Sequence, residues 1–138
     1  MIDCENEIFR ALAERVHETY PDIYITGAYV RAPSSFPCVS IEEKNNAVWR
    51  NGRDSTILEN FAAVMYEVNI YSNKSNGRKT ECKAIAACVD EAMAHLGFTR
   101  TMLNPLPNAA DATVYRMTGR YQAIIGKMKD GSFVVYKR

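Results

Sequence analysis

Apolar residues recur along this chain at two different periods, and the switches between them outline its elements. Ile8, Leu12 and Val16 follow at four-residue spacing with Phe9 and Ala13 beside them, which predicts a helix over residues 3–19. Asp3, Glu5 and Glu7 fall in its first turns, where the positive end of the helix dipole favours them. Tyr20-Pro21 stops it, because the residue before a proline is pushed out of helical geometry. Two β-rich runs follow, 23–30 and 36–43, split by Arg31-Ala-Pro-Ser-Ser35; in the second, Val39 and Ile41 are expected to face inward and Ser40 and Glu42 outward. Residues 45–55 are polar and rich in turn formers, and read as a loop. Residues 61–72 alternate at Val64, Tyr66, Val68 and Ile70, a strong strand. Cys82, Ile85, Ala86, Val89, Ala92, Met93 and Leu96 then give a continuous helical stripe over 78–96, ended by Gly97. A short strand over 98–103 and a loop over 104–111 come next, since two prolines there cannot sit inside a central strand.

The last quarter alternates for longest. Over residues 114–125, Tyr115, Met117, Gly119, Tyr121, Ala123 and Ile125 share one face, while Val114, Arg116, Thr118, Arg120, Gln122 and Ile124 share a mostly polar one. Asp130-Gly131, placed before Phe133-Val-Val-Tyr136, signals a closing hairpin. The order is one helix, three strands, a second helix and three strands, without repeat or linker. That order predicts one α+β domain over residues 1–138, a mostly antiparallel sheet of five to six strands with two helices packed on one face.

Composition narrows the function. With 47% hydrophobic and 24% charged residues, the chain is an ordinary globular sequence rather than a disordered one. A net charge of +1 gives no bulk electrostatic case for nucleic acid or an anionic membrane, and no apolar run approaches the roughly 20 residues of a membrane span. The N-terminal Met1-Ile-Asp-Cys-Glu-Asn-Glu lacks a secretion signal's basic-then-apolar order, so cytosolic synthesis is expected. Cys4, Cys38, Cys82 and Cys88 form no Cys-x-x-Cys pair and stand apart from His17 and His95 in sequence. They read as reduced thiols, several of them core fillers, and no metal site is expected from such spacing.

Catalytic motifs are not supported. Asn76-Gly-Arg-Lys-Thr80 departs from a phosphate-binding loop, because Arg78 separates glycine from lysine and the glycine five residues upstream is missing. Glu42-Glu43 and Asp90-Glu91 are neighbours whose side chains diverge, so neither pair makes an acid–base dyad. No catalytic, cofactor-binding or metal-binding residue is assigned. Contact residues are the better candidates. Trp49, the single tryptophan, stands in a polar segment beside Arg50 and Arg53, and Arg116, Arg120 and Gln122 line the polar strand face; tryptophan and arginine are enriched at interface hot spots. Arg78, Lys79 and Lys83 form a basic helix start that reads mainly as a solvated face.

Taken in order, the Pro37-Cys-Val-Ser-Ile-Glu-Glu43 strand, Tyr66-Glu-Val-Asn-Ile-Tyr-Ser-Asn-Lys74, the Arg78-Lys-Thr-Glu-Cys-Lys83 helix ending Leu96-Gly-Phe98, and Tyr115-Arg-Met-Thr-Gly-Arg-Tyr-Gln-Ala123 carry a likeness. Over nearly the whole chain, this arrangement resembles the small tail-terminator, or tail-completion, proteins of long-tailed bacteriophages and prophages. The resemblance implies an α+β protomer that closes into a homo-oligomeric ring, commonly a hexamer. It implies two partners, the tail tube protein and the head–tail connector, with assembly in the host cytoplasm and residence in the virion tail. It implies no cofactor, and the near-neutral charge and the lack of an apolar span add the expectation of no membrane and no specific nucleic-acid binding. The alternatives are a neck or head-completion protein, or, in a different class, a small cytosolic enzyme or nucleic-acid-binding module.

Overall fold

The computed structural model describes residues 1–30, 32–49, 61–107, 111–128 and 132–136. In chain order these form α1 (Glu5–Thr19), β1 (Tyr24–Thr26), β2 (Cys38–Val48), β3 (Ala62–Ser72), α2 (Arg78–His95), β4 (Thr99–Leu106), β5 (Tyr115–Lys127) and β6 (Phe133–Tyr136). One sheet holds all six strands in the order β1-β2-β3-β5-β4, with β6 also paired to β5. β3 takes one edge of β5 over its length, so β4 and β6 share the other, against residues 116–122 and 124–127. β1 runs parallel to β2, and every other pair is antiparallel. The expected α+β class and element order are found.

Both helices lie on one face of the sheet. Ile8, Leu12 and Val16 of α1 and Cys82, Ile85, Val89 and Met93 of α2 are buried with Val39, Ile41, Val64, Tyr66, Val68, Ile70, Tyr121 and Ile125 in one core. Asp90 ties helix to sheet: its carboxylate accepts from the buried Tyr121 hydroxyl at 3.1 Å and pairs with Arg100 at 3.1 Å. A buried phenol thus keeps a partner, as burial of a polar group requires.

Several boundaries differ from those read in the sequence. α1 begins at Glu5, and Asp3 stands before it, accepting the Glu5 backbone N–H at 3.1 Å. The run over 23–30 contributes only Tyr24–Thr26, because the Thr26 hydroxyl accepts the Ala28 N–H and turns the chain away. β2 continues through Val48, so Asn45, Asn46, Ala47 and Val48 are strand rather than loop; a register shift at Lys44 lets the polar stretch stay paired with β3. β4 includes Asn104, Pro105 and Leu106, expected to be loop. Pro105 is tolerated because β4 is an outer strand whose second edge needs no donor. The Asp130-Gly131 turn lies outside the described residues.

Gly97 ends α2 in the left-handed conformation, with φ at 98°, and a Cβ there would lie 2.8 Å from Val135 Cγ1 of β6. Gly97→Ala is therefore expected to cost about 2 kcal/mol, from backbone strain and forced displacement of β6. Urea denaturation measures it, and a change inside the error of the method would mean that β6 gives way freely.

Candidate interaction surface

The face of the sheet opposite the helices carries Arg116, Arg120 and Gln122, three of the six residues that the sequence pointed to. Three rows cross it: Cys38–Tyr71–Arg116, Ser40–Asn69–Thr118 and Glu42–Glu67–Arg120. Asn69 is their hub. Its Oδ1 accepts from Arg116 Nε at 3.0 Å, Arg116 Nη2 at 2.8 Å and the Thr118 hydroxyl at 2.7 Å, while its Nδ2 donates to Glu67 Oε1 at 3.3 Å. Arg120 Nε donates to the other Glu67 oxygen at 3.2 Å. Glu42 and Glu67 stand directly opposite one another, an unfavourable like-charge pair. Lys44 on Glu42 and Arg120 on Glu67 offset it.

Part of this face is buried, which the strand alternation alone did not suggest. Ser40, expected to face solvent, does point away from the helices, yet it is 1% exposed, as are Asn69 and Thr118. Side chains of the segment joining β1 to β2 pack on this face. Phe36 packs on Cys38, Tyr71 and Val114, and the Arg116 guanidinium lies 5.8 Å from the ring centres of both Tyr29 and Tyr71. Burial also pushes the Cys38 thiol up to about 11 and the Cys82 thiol up to about 12. At neutral pH both are packing groups, not nucleophiles.

Arg116 and Arg120 are brought together with intramolecular partners, and Arg120 keeps about half of its side chain in water. Gln122 follows on the same face, half-buried. Trp49 does not join them. It sits half-buried just past the end of β2, its N–H donating to the Phe61 carbonyl at 3.0 Å. The adjoining row is Val48–Ala62–Ile125, which lies about 30 Å from Arg116 at the usual rise per strand residue. Trp49 instead shares its end of the sheet with the exposed apolar side chains of Val48 and Met128. Residues 50–55, Arg50 and Arg53 among them, lie outside the described residues. At the opposite end, Lys79 and Lys83 are exposed and Arg78 half-exposed along the first turns of α2. The Asn69 hub was not legible in the strand alternation. Its available signal was Glu67 and Asn69 inside an otherwise apolar strand, since a buried polar pair in a central strand implies polar neighbours.

Among the described residues, no helix is long and apolar enough to cross a membrane. The sequence matches no family profile and no curated protein. The fold does match solved structures. One is a chain from the virion of a native gene transfer agent particle, similar over 83% of this chain and 88% of that one, with a TM-score of 0.59 and 14% sequence identity. At that identity the likeness is one of fold.

Proposed function

We propose that this chain is a structural virion-assembly protein that caps the phage tail tube as a homo-oligomeric ring and joins it to the head–tail connector. The observation that carries the reading is a likeness of fold, over most of both chains, to a component of a gene transfer agent virion. The tail-terminator resemblance in the sequence agrees with it and supplies the finer role. The surface suits such work. A ring requires two complementary patches on one protomer, and the sheet offers two sites far apart: the Arg116–Arg120–Gln122 face and the end bearing Val48, Trp49 and Met128. Arginine's planar fork suits pairing with a neighbour's carboxylates, and the tryptophan supplies an apolar anchor. In this reading the protein is not an enzyme and needs no cofactor.

Light scattering after size exclusion, with negative-stain electron microscopy, tests the ring directly. The expected result is a closed ring of about six protomers, and particles lacking the protein are expected to carry tails of abnormal length or tails unattached to heads. A strictly monomeric protein whose deletion leaves particles normal and infectious would rule the reading out. Charge reversal of Arg116 and Arg120 is a poor probe, because it would place new carboxylates beside Asn69 and Glu67 and disturb the fold. Trp49→Ala, with Val48→Ser as a companion, leaves that network alone and is expected to lower ring yield.

A further inference from the structure

We propose that Asp3, Glu5 and Glu43 form a binding site for a divalent cation of calcium type, with the Tyr66 hydroxyl turned toward it. This site stands apart from the virion reading and does not depend on it. One carboxylate oxygen from each of the three acids lies within 4.8 Å of the others. Calcium binds oxygens at about 2.4 Å, so its ligands sit up to about 4.8 Å apart across the ion, whereas magnesium at about 2.1 Å demands a tighter set. The three oxygens thus fall within the span of one calcium coordination sphere.

The carboxylates are held in place before any ion arrives. Asp3 Oδ1 accepts the Glu5 N–H at 3.1 Å, and Glu5 Oε2 accepts the Glu43 N–H at 2.8 Å. Asn46 Nδ2 bridges the Ile2 carbonyl at 2.7 Å and Glu43 Oε1 at 2.8 Å. Lys127 Nζ lies 3.3 Å from the Asp3 carbonyl and 3.9 Å from Glu7, which brings one cationic side chain to the edge of the group. Burial raises the Glu43 carboxyl above the usual carboxylate range; the Asn46 bond opposes that shift, and the charges of Glu5 and Asp3 reinforce it.

The second observation is Tyr66. It stands opposite Glu43 in the β2–β3 ladder, so both side chains rise on the same face. It is 0% exposed, and its hydroxyl has no hydrogen-bond partner among the described residues. Burial, and then the charges of Glu43, Glu5, Cys4 and Asp3, raise the Tyr66 phenol well above its ordinary value, in keeping with the shared face of Glu43 and Tyr66. A wholly buried phenol is ordinarily paired, and a bound hard cation among these oxygens gives its lone pairs a partner.

Terbium(III), a calcium stand-in that emits when a nearby phenol is excited, provides the test on the full chain. Expected are terbium luminescence on tyrosine excitation, displaced by calcium about tenfold more effectively than by magnesium, and a melting temperature raised by about 5 °C in saturating calcium. Asp3→Asn, at an exposed position, should weaken calcium binding about tenfold by removing one charge. Glu5→Gln with Glu43→Gln keeps the shape and the acceptor oxygens and should abolish both signals while melting cooperatively in EDTA. Tyr66→Phe should dim the terbium emission. The proposal fails if millimolar calcium moves neither signal, or if both survive in the Asp3→Asn and double glutamine variants.

Discussion

Val89→Asp is expected to leave the protein unfolded. Val89 is 1% exposed on the inner stripe of α2, between Ile85 and Met93, which are fully buried. An aspartate there must either remain ionised in an apolar core or take up a proton and lose its solvation without a partner. Valine's own burial is lost as well, so the sum is about 4 kcal/mol or more. Against a typical total of about 5–15 kcal/mol, that removes most of the folded population at 37 °C. Circular dichroism melts and the soluble fraction on expression measure it. A soluble variant that melts cooperatively near the parent's temperature would mean that this helix face is not packed inside.

The second large effect is expected at Asn69. Asn69→Ala removes one acceptor serving three donors, two on Arg116 and one on Thr118, and the donor that steadies Glu67. Asn69 and Thr118 are 1% exposed, so water cannot easily replace the lost partner. The expected cost is about 3 kcal/mol, since a buried polar group left unsatisfied costs about 1–3 kcal/mol and the Arg116 bonds are charge-assisted. Thr118→Val should cost only about 1 kcal/mol, because Asn69 keeps both Arg116 bonds. Urea unfolding of the two variants gives the comparison. Should both fall within about 0.5 kcal/mol of the parent, the network would be orienting Arg116 without holding the fold. A gel-filtration profile of the folded Asn69 variant then reports whether a loosened Arg116 also impairs assembly.

The elements with a clean period were legible in the sequence. The stripes Ile8–Leu12–Val16 and Ile85–Val89–Met93 specify helices with one apolar side, and alternation in β3 and β5 specifies strands whose Val64, Tyr66, Val68, Ile70, Tyr121 and Ile125 face the core. Gly97 as a stop was equally local, because only glycine takes a φ of 98° without strain. These are properties of the chain within a turn or two of each residue, and tertiary packing had only to accept them.

What the sequence did not decide was how far a polar stretch could be recruited into the sheet and which polar side chains would meet. Asn45-Asn-Ala-Val48 reads as loop by composition, yet β3 offers it a ladder and a bulge at Lys44 absorbs the mismatch. Pro105 reads as a strand breaker, yet an outer strand can spare one donor. Asn69 meets Arg116 and Thr118 across almost fifty residues, and Asp3 and Glu5 meet Glu43 across about forty. No periodicity encodes such meetings. They depend on register between strands and on where a helix lands on a sheet, which chain entropy and long-range burial settle together.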